Sequence, residues 1–345
     1  MPGSPYTDLD RPPLDARRLQ RALIVPDGLW NRLVLRAETG STNADVADAA
    51  RSGEPEGLVV VAERQTAGRG RRGRSWESPA RAGIAVSVLL RPGVAASDRG
   101  WPAVPPARYG WLPLLAGVAL VEAVDRLAEL DSALKWPNDL LVWPGLGAPV
   151  SVAGPAGVGP VERADVGPAD GVAGPAGVGR VGPAGGGSAT MEPGDEPSGE
   201  AKCAGILAEG VAAAAGQPSA VVLGIGLNVT LRVDELPVTT GLPATSLQLA
   251  GAVATDRDPL LRALLRGIER WYGRWRAAGG DAGECGLREA YLQHCATLGR
   301  EVRVLLPGGD DLVGTARTID PDGQLVLDTL DGERRVAAGD VLHLR

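Results

Sequence analysis

Gln65-Thr66-Ala67-Gly68-Arg69-Gly70-Arg71-Arg72-Gly73-Arg74-Ser75-Trp76 sets four arginines among three glycines and closes on an indole. Arginine presents a planar fork of donors matched to phosphate or carboxylate oxygens, and glycine lets main-chain N–H groups approach an anion at φ values other residues avoid. Alone, such a stretch reads as an anion cradle, as a solvated basic turn, or as a nucleic-acid-binding Arg/Gly segment. Its flanks are Gly57-Leu58-Val59-Val60-Val61-Ala62 and Gly83-Ile84-Ala85-Val86-Ser87-Val88-Leu89-Leu90, two β-branched runs of strand length. The basic stretch is thus a loop between strands, a common place to hold a ligand.

Composition narrows the choice. The 345 residues carry a formal charge of −7 and 44% hydrophobic residues, enough for a buried core. An acidic total argues against a chain that works mainly by binding nucleic-acid backbone, which needs a broad basic face. Cys203, Cys285 and Cys295 are scattered, without a CxxC pair, so neither a disulfide framework nor a zinc site is suggested. The start Met1-Pro2-Gly3-Ser4-Pro5 lacks a basic and then apolar leader, and no stretch reaches the roughly 18 apolar residues of a membrane span. A cytoplasmic protein is expected. Phe is absent while Trp numbers eight, a compositional bias from which no function follows.

Outward from the loop, residues 1–30 are rich in Pro, Arg and Asp with weak periodicity, and read as a tail too short for a winged helix. Ser41-Thr42-Asn43 precedes a helical run of small apolar residues and suits a cap, the helix ending near Gly53. Trp111 to Leu130 reads as a buried helix, and Ala133 to Trp136 and Leu140 to Trp143 as strands joined through Pro137-Asn138-Asp139. From residue 144 to 201 the chain turns to Gly, Pro, Ala and Val, and Val-Ala-Gly-Pro-Ala-Gly-Val-Gly occurs at 152–159 and again at 172–179. Such a segment buries too little surface to offset chain entropy and is expected to be disordered. It interrupts a hairpin that resumes at Cys203 to Glu209 and Val221 to Val229, an interruption the sheet tolerates because loop closure costs only about 0.6 kcal/mol per doubling of length. Asp258-Pro259 is expected to open a helix as cap and first residue, with a shorter helix over about 284–295. After Gly299 come short β-like runs punctuated by Pro307-Gly308, Pro321-Asp322-Gly323 and Asp331-Gly332, the spacing of a small antiparallel barrel.

Gly40-Ser41-Thr42-Asn43, the Gln65–Trp76 stretch, Lys135-Trp136-Pro137-Asn138-Asp139, Ala204-Gly205-Ile206-Leu207 and Gly224-Ile225-Gly226-Leu227-Asn228 occur in an order that resembles the biotin protein ligases. The resemblance covers about 36 to 345 apart from the insertion. It implies an α+β fold: a mixed/antiparallel sheet with helices, like class II aminoacyl-tRNA synthetases, plus a small C-terminal SH3-like β-barrel. The expected domains are a tail at 1–30, a catalytic domain at 31–297 broken by the 144–201 insertion, and the barrel at 298–345. The implied reaction is a two-step ligation. ATP and biotin give biotinyl-5′-AMP and pyrophosphate, and a lysine of a biotin carboxyl carrier protein then attacks the mixed anhydride.

The residues suit that route. His294 and His343 are the only histidines, so a Ser-His or Cys-His nucleophile has little material. Adenylation needs none, because the substrate carboxylate attacks the α-phosphate and the protein must bring two anions together and neutralise their charge. Arg69, Arg71 and Lys135 are the catalytic candidates. By resemblance, Ser41, Thr42, Asn43, Gln65, Arg69, Gly70, Arg71, Lys135 and Gly205 would bind biotin. Gly68, Arg71, Arg72, Trp76, Asn138, Asp139 and Asn228 would bind ATP or the adenylate, with Trp76 stacking over adenine. Asp139 or Asn228 would face Mg²⁺. Locally, Ser41 to Asn43 equally suit plain capping, Trp76 a core or lid position, and Asn138, Asp139 and Asn228 a turn and a strand end.

Some members of the family carry an N-terminal DNA-binding domain and double as repressors, and residues 1–30 are too few for one, so a ligase without repressor activity, binding neither DNA nor membrane, is expected as monomer or homodimer. A lipoate or octanoyl transferase shares the broad fold and is the rival within this chemistry. An Arg/Gly-loop nucleic-acid-binding module is the rival outside it.

Overall fold

The structure, a computed structural model, describes residues 11–143, 199–212, 219–237, 239, 242–306 and 308–344. Seven strands, β1 (Arg32–Arg36), β2 (Leu58–Ala62), β3 (Gly83–Leu90), β4 (Ser132–Lys135), β5 (Asp139–Val142), β6 (Ala201–Val211) and β7 (Ala220–Asn228), form one sheet in the order β1-β2-β3-β7-β6-β5-β4. The β1–β2 pair is parallel and the other pairs are antiparallel, so the sheet is mixed.

Alternation along these strands sorts the sheet's two faces. Val59, Val61, Ile84, Val86, Val88, Leu223 and Ile225 join the main core with α3 (Trp111–Ala128) and α4 (Arg257–Ala277). Leu58, Val60, Leu89 and Val222 face the other way, against Val46 and Ala50 of α2 (Thr42–Arg51). On that second face β7 offers Gly224 and Gly226 and β6 offers Gly205, with Leu207 the one bulky apolar side chain beside them. Ala85, Gly226, Gly205 and Asp139 lie across from one another in register there, as do Ser87, Gly224 and Leu207. The face that α2 only partly covers is where a ligand can reach the sheet.

The expected tail over 1–30 is corrected from residue 11 onward. Arg11 bonds Glu235 and the Thr230 carbonyl, and α1 (Ala16–Leu23) is capped by Asp15, whose Oδ1 accepts from Arg17 N at 2.9 Å and Arg18 N at 3.1 Å. Leu19 and Leu23, four apart, are buried. Two turns of helix carry too few apolar repeats to register as periodicity. Residues 1–10 lie outside those described.

Of the expected disordered insertion over 144–201, residues 144–198 lie outside the described part. Its final residues belong to the fold: Glu200 is 6% exposed and ion-paired with Arg300, and Ala201 begins β6. The expected cap of α4 also shifts. Asp256 is the N-cap, accepting from Asp258 N at 3.0 Å, and Pro259 stands third in the helix rather than first. Proline is tolerated there because a first-turn N–H has no intrahelical partner.

After α5 (Leu287–His294), the strands β8 (Glu301–Leu305), β9 (Asp311–Ile319), β10 (Leu325–Thr329), β11 (Gly332–Val336) and β12 (Asp340–His343) form a separate antiparallel sheet, ordered β11-β10-β9-β8-β12. Val302, Val304, Ala316, Ile319, Leu325 and Val341 are buried within it. Among the described residues no helix is long and apolar enough to cross a membrane.

Candidate active site

A cavity of about 730 Å³ opens on the α2 face of the sheet, within the size range of small-molecule sites. Ser41, Thr42, Asn43, Gln65, Arg69, Gly70, Arg71, Trp76, Lys135, Asn138, Asp139, Gly205 and Asn228 all line it, so thirteen of the fifteen expected site residues converge from segments far apart in sequence. Gly68 and Arg72 are the two that do not. Gly68 packs against the Trp76 carbonyl and Gln65 within the loop, and Arg72 Nη2 turns away to donate to the Leu305 carbonyl at 2.8 Å.

Glycine shapes the floor. A Cβ on Gly226 would meet Trp76 Cε2 at 2.4 Å, and one on Gly224 would meet Asn43 Oδ1 at 2.0 Å. The missing side chains let the indole and the helix terminus rest on the backbone of β7. Trp76 therefore forms part of the floor between the two ends of the cavity, with Lys202 Nζ 5.9 Å from its ring.

One end is neutral and polar. Ser41 is the N-cap of α2 but makes no side-chain capping bond, so the expected capping by Ser41 is not what satisfies the helix. Gln65 supplies it from the strand side, its Oε1 accepting from Thr42 N at 2.8 Å and lying 3.0 Å from Thr42 Oγ1. Below, Ser87 Oγ lies 2.7 Å from Thr42 Oγ1 and 2.6 Å from Asn43 Oδ1, and Asn43 Nδ2 donates to Glu209 Oε2 at 2.6 Å. Sequence reasoning missed Ser87 and Glu209. The signal for Ser87 was present: it is the sole polar residue of an eight-residue buried strand, and a buried hydroxyl needs a partner.

The other end is cationic. Lys135 is 8% exposed, and its ammonium pKa is lowered by burial, an effect that neighbouring Asp139 opposes. Burial likewise lowers the Arg71 pKa, with Asp340 and Asp139 opposing, and Arg71 Nη1 donates to Asn138 Oδ1 at 3.2 Å. Lys202 Nζ sits 2.7 Å from Asp139 Oδ1 and also lines the cavity, a cation the sequence reading passed over. Desolvated cations grouped at one end attract an anion more strongly than exposed ones do. Asn228 is buried, its Nδ2 donating to the Thr245 carbonyl at 2.9 Å.

The Arg/Gly loop closes over this end as a small hairpin. Gly70 N donates to the Arg74 carbonyl at 2.6 Å, Trp76 N to the Gly68 carbonyl at 2.9 Å, and the tip carries Arg72 (φ 54°) and Gly73 (φ 73°) in the left-handed region. Its basic side chains bind the C-terminal sheet, Arg74 Nη2 reaching Asp340 Oδ2 at 2.6 Å and Arg72 Nη1 at 3.6 Å. Leu305, Asp340, Val341 and Leu342 complete the wall. Behind it, Thr297 Oγ1 accepts from Trp136 N at 3.0 Å and lies 3.1 Å from His343 Nε2, while Glu200 faces His343 Nδ1 at 3.6 Å. That network joins the Lys135 hairpin, the start of β6 and the C-terminal sheet.

Two family profiles match the chain: the Biotin/lipoate A/B protein ligase family over residues 38–154 and the Biotin protein ligase C terminal domain over 297–344. A biotin–[acetyl-CoA-carboxylase] ligase of Mycobacterium tuberculosis is 39% identical, the match covering 98% of this chain and 100% of that protein. The enzyme of the same name from Paracoccus denitrificans is 29% identical over 88% of this chain and 98% of its own. Among solved structures, the biotin protein ligase of Aquifex aeolicus in complex with biotin and ATP superposes with a TM-score of 0.59 at 21% identity, covering 90% of this chain and 98% of that one.

Proposed function

Because the chain belongs to the biotin protein ligase family, we propose that its cavity joins biotin to a lysine of a biotin carboxyl carrier domain, using ATP and passing through biotinyl-5′-AMP with release of pyrophosphate. The observation that carries the site assignment is the polarity of one continuous cavity, neutral and hydrogen-bonding at Ser41, Thr42, Asn43 and Gln65, cationic at Arg69, Arg71 and Lys135. Biotin has the same polarity, a cyclic urea at one end and a carboxylate at the other.

In the first step the biotin carboxylate attacks the α-phosphate of ATP and pyrophosphate departs. Two anions must meet, so the chief work of the protein is electrostatic and positional. Lys135 and Arg71 hold the carboxylate and α-phosphate oxygens from opposite sides, and Arg69 extends the positive field over the loop. Asn138 orients Arg71. Trp76 offers an indole face beside the nucleotide end. In the second step the acceptor lysine amine attacks the acyl carbon, the C–O bond to AMP breaks, and the amide forms. Arg74 and Arg72, bound to Asp340 and Leu305, hold the loop across the anhydride and shield it from water until the acceptor arrives.

For Mg²⁺ the donor set is thin. Asp139 is paired with Lys202, and the Asn228 amide nitrogen serves Thr245. One carboxylate beside a cationic cavity fits an ion that arrives on the phosphates and draws its remaining ligands from them and from water. Asp139 would hold it, and Asn228 has its carbonyl oxygen to offer. When bound, the ion neutralises phosphate charge.

The same reading extends to architecture and setting. The catalytic sheet is of the class II aminoacyl-tRNA synthetase kind. The five short strands at 301–343, with their shared apolar interior, are an SH3-like barrel. The catalytic domain runs from α1 to residue 297, interrupted by the insertion over 144–198, and the C-terminal domain covers 298–345. The protein works in the cytoplasm as a monomer or homodimer, without DNA or membrane, on the carrier domain of a biotin-dependent carboxylase.

Incubation with an apo carrier domain, ATP and either biotin or lipoate tests the reading by intact mass. A biotinyl adduct on one lysine is expected. A lipoyl adduct in its place, or none with either acid, would overturn it.

A further inference from the structure

Ser87 and Glu209 do not line the cavity, yet they fix how Thr42 and Asn43 present themselves to it. Ser87 is fully buried on β3, and Glu209 lies on β6, 166 residues from the Asn43 it bonds. A carboxylate offers only acceptors, so the 2.6 Å contact with Glu209 Oε2 obliges Asn43 to turn its NH₂ toward β6 and its Oδ1 toward Ser87. An amide oxygen also only accepts. The single Ser87 proton is therefore committed to Asn43 at 2.6 Å, and the Ser87 oxygen is left to accept the Thr42 proton across 2.7 Å. Gln65 Oε1 is meanwhile served by Thr42 N–H at 2.8 Å, so it does not need the Thr42 hydroxyl proton. Each donor from Thr42 to Glu209 points the same way, and Thr42, at the cavity wall, keeps a lone pair but no proton to give.

We infer that Glu209 is a positioning residue for ligand recognition: it fixes the proton order of the Thr42–Ser87–Asn43–Glu209 chain so that Thr42 Oγ1 meets the ligand as an acceptor, matched to an N–H of a cyclic urea. This rests on the ligase reading, which supplies the urea. A ligand with a carbonyl in place of that N–H meets a lone pair facing a lone pair and is refused. Glu209→Gln removes the anchor at nearly constant shape. A carboxamide can donate as well as accept, Asn43 can then turn over, and the chain can run in either direction.

Calorimetric titration of the full-length protein tests this, with biotin, with its two mono-N-methyl ureido analogues, and with ATP. Loss of one well-ordered neutral hydrogen bond predicts about tenfold weaker biotin binding by Glu209→Gln. ATP affinity and melting temperature should be unchanged, and the KM for biotin should rise at constant kcat. For the analogue methylated at the nitrogen facing Thr42, wild type and Glu209→Gln should bind equally weakly. Ser87→Ala breaks the same chain in the middle and is a second route to the answer, and the double variant should be no worse than either single one. Biotin binding by Glu209→Gln within twofold of wild type, parallel losses for biotin and ATP, or additive losses in the double variant would overturn the inference while leaving the ligase reading in place. A wild-type protein that binds no biotin would remove that reading and the inference with it.

Discussion

Lys135 is held where an ammonium is poorly solvated, and in the proposed site an arriving carboxylate and phosphate would restore what burial took away. Lys135→Met keeps the stem and removes the charge. Adenylate formation should fall by ~10²- to 10³-fold, the loss usual for one preorganised electrostatic contact, with an unchanged melting curve. Single-turnover formation of the adenylate checks this. Gly226→Ala attacks the floor instead. Its Cβ would stand 2.4 Å from the Trp76 ring, so the indole must leave, and both biotin and ATP should bind at least about tenfold more weakly while the strand itself persists. A titration of either ligand decides it. Individual chemistry of this kind was largely legible in the sequence, because charge and glycine are visible without a fold. What stayed hidden was pairing. Lys202 reads as an ordinary strand lysine until the fold brings its ammonium 2.7 Å from Asp139, and Glu209 reads as a solvated end until it meets Asn43.

Elements were legible wherever a local pattern encodes them. The β-branched runs before and after the Arg/Gly loop are β2 and β3, and the Pro137-Asn138-Asp139 turn does join two strands. α1 escaped because two turns contain only two core residues, and the α4 cap shifted because Asp256 and Asp258 are equally plausible acceptors in the sequence. The loop's attachment to the C-terminal sheet could not be read at all, since it depends on Asp340 meeting Arg74 across 266 residues. Asp340→Ala should free the Arg69–Arg74 tip, raising its tryptic cleavage several-fold in the absence of ligands, with protection restored on adding biotin and ATP. Equal cleavage of wild type and variant would show that the contact does not hold the loop.

At the scale of the molecule, the two sheets meet where Thr297, Glu200, Arg300 and His343 interlock. Burial lowers the His343 pKa from 6.5, against the pull of Glu200. The unfolded chain therefore binds more protons than the folded one just below pH 6.5, and stability should decline as pH falls from 6.5 toward the folded value. Glu200 is also desolvated, but its hydrogen bonds from His343 and Arg300 outweigh that and lower its pKa from 4.5, so further stability is lost at still lower pH. Urea melts from pH 7.5 to 5 should show the first decline, and His343→Gln should flatten it. The central claim concerns the cavity these sheets enclose: it activates biotin before any acceptor is present. Pyrophosphate release, followed in a rapid quench with enzyme in excess of radiolabelled ATP and no carrier protein, tests it most directly. The account predicts a biotin-dependent burst of one pyrophosphate per ATP consumed, with biotinyl-AMP retained on the protein. Release that requires lipoate, or none until a carrier domain is added, would contradict it.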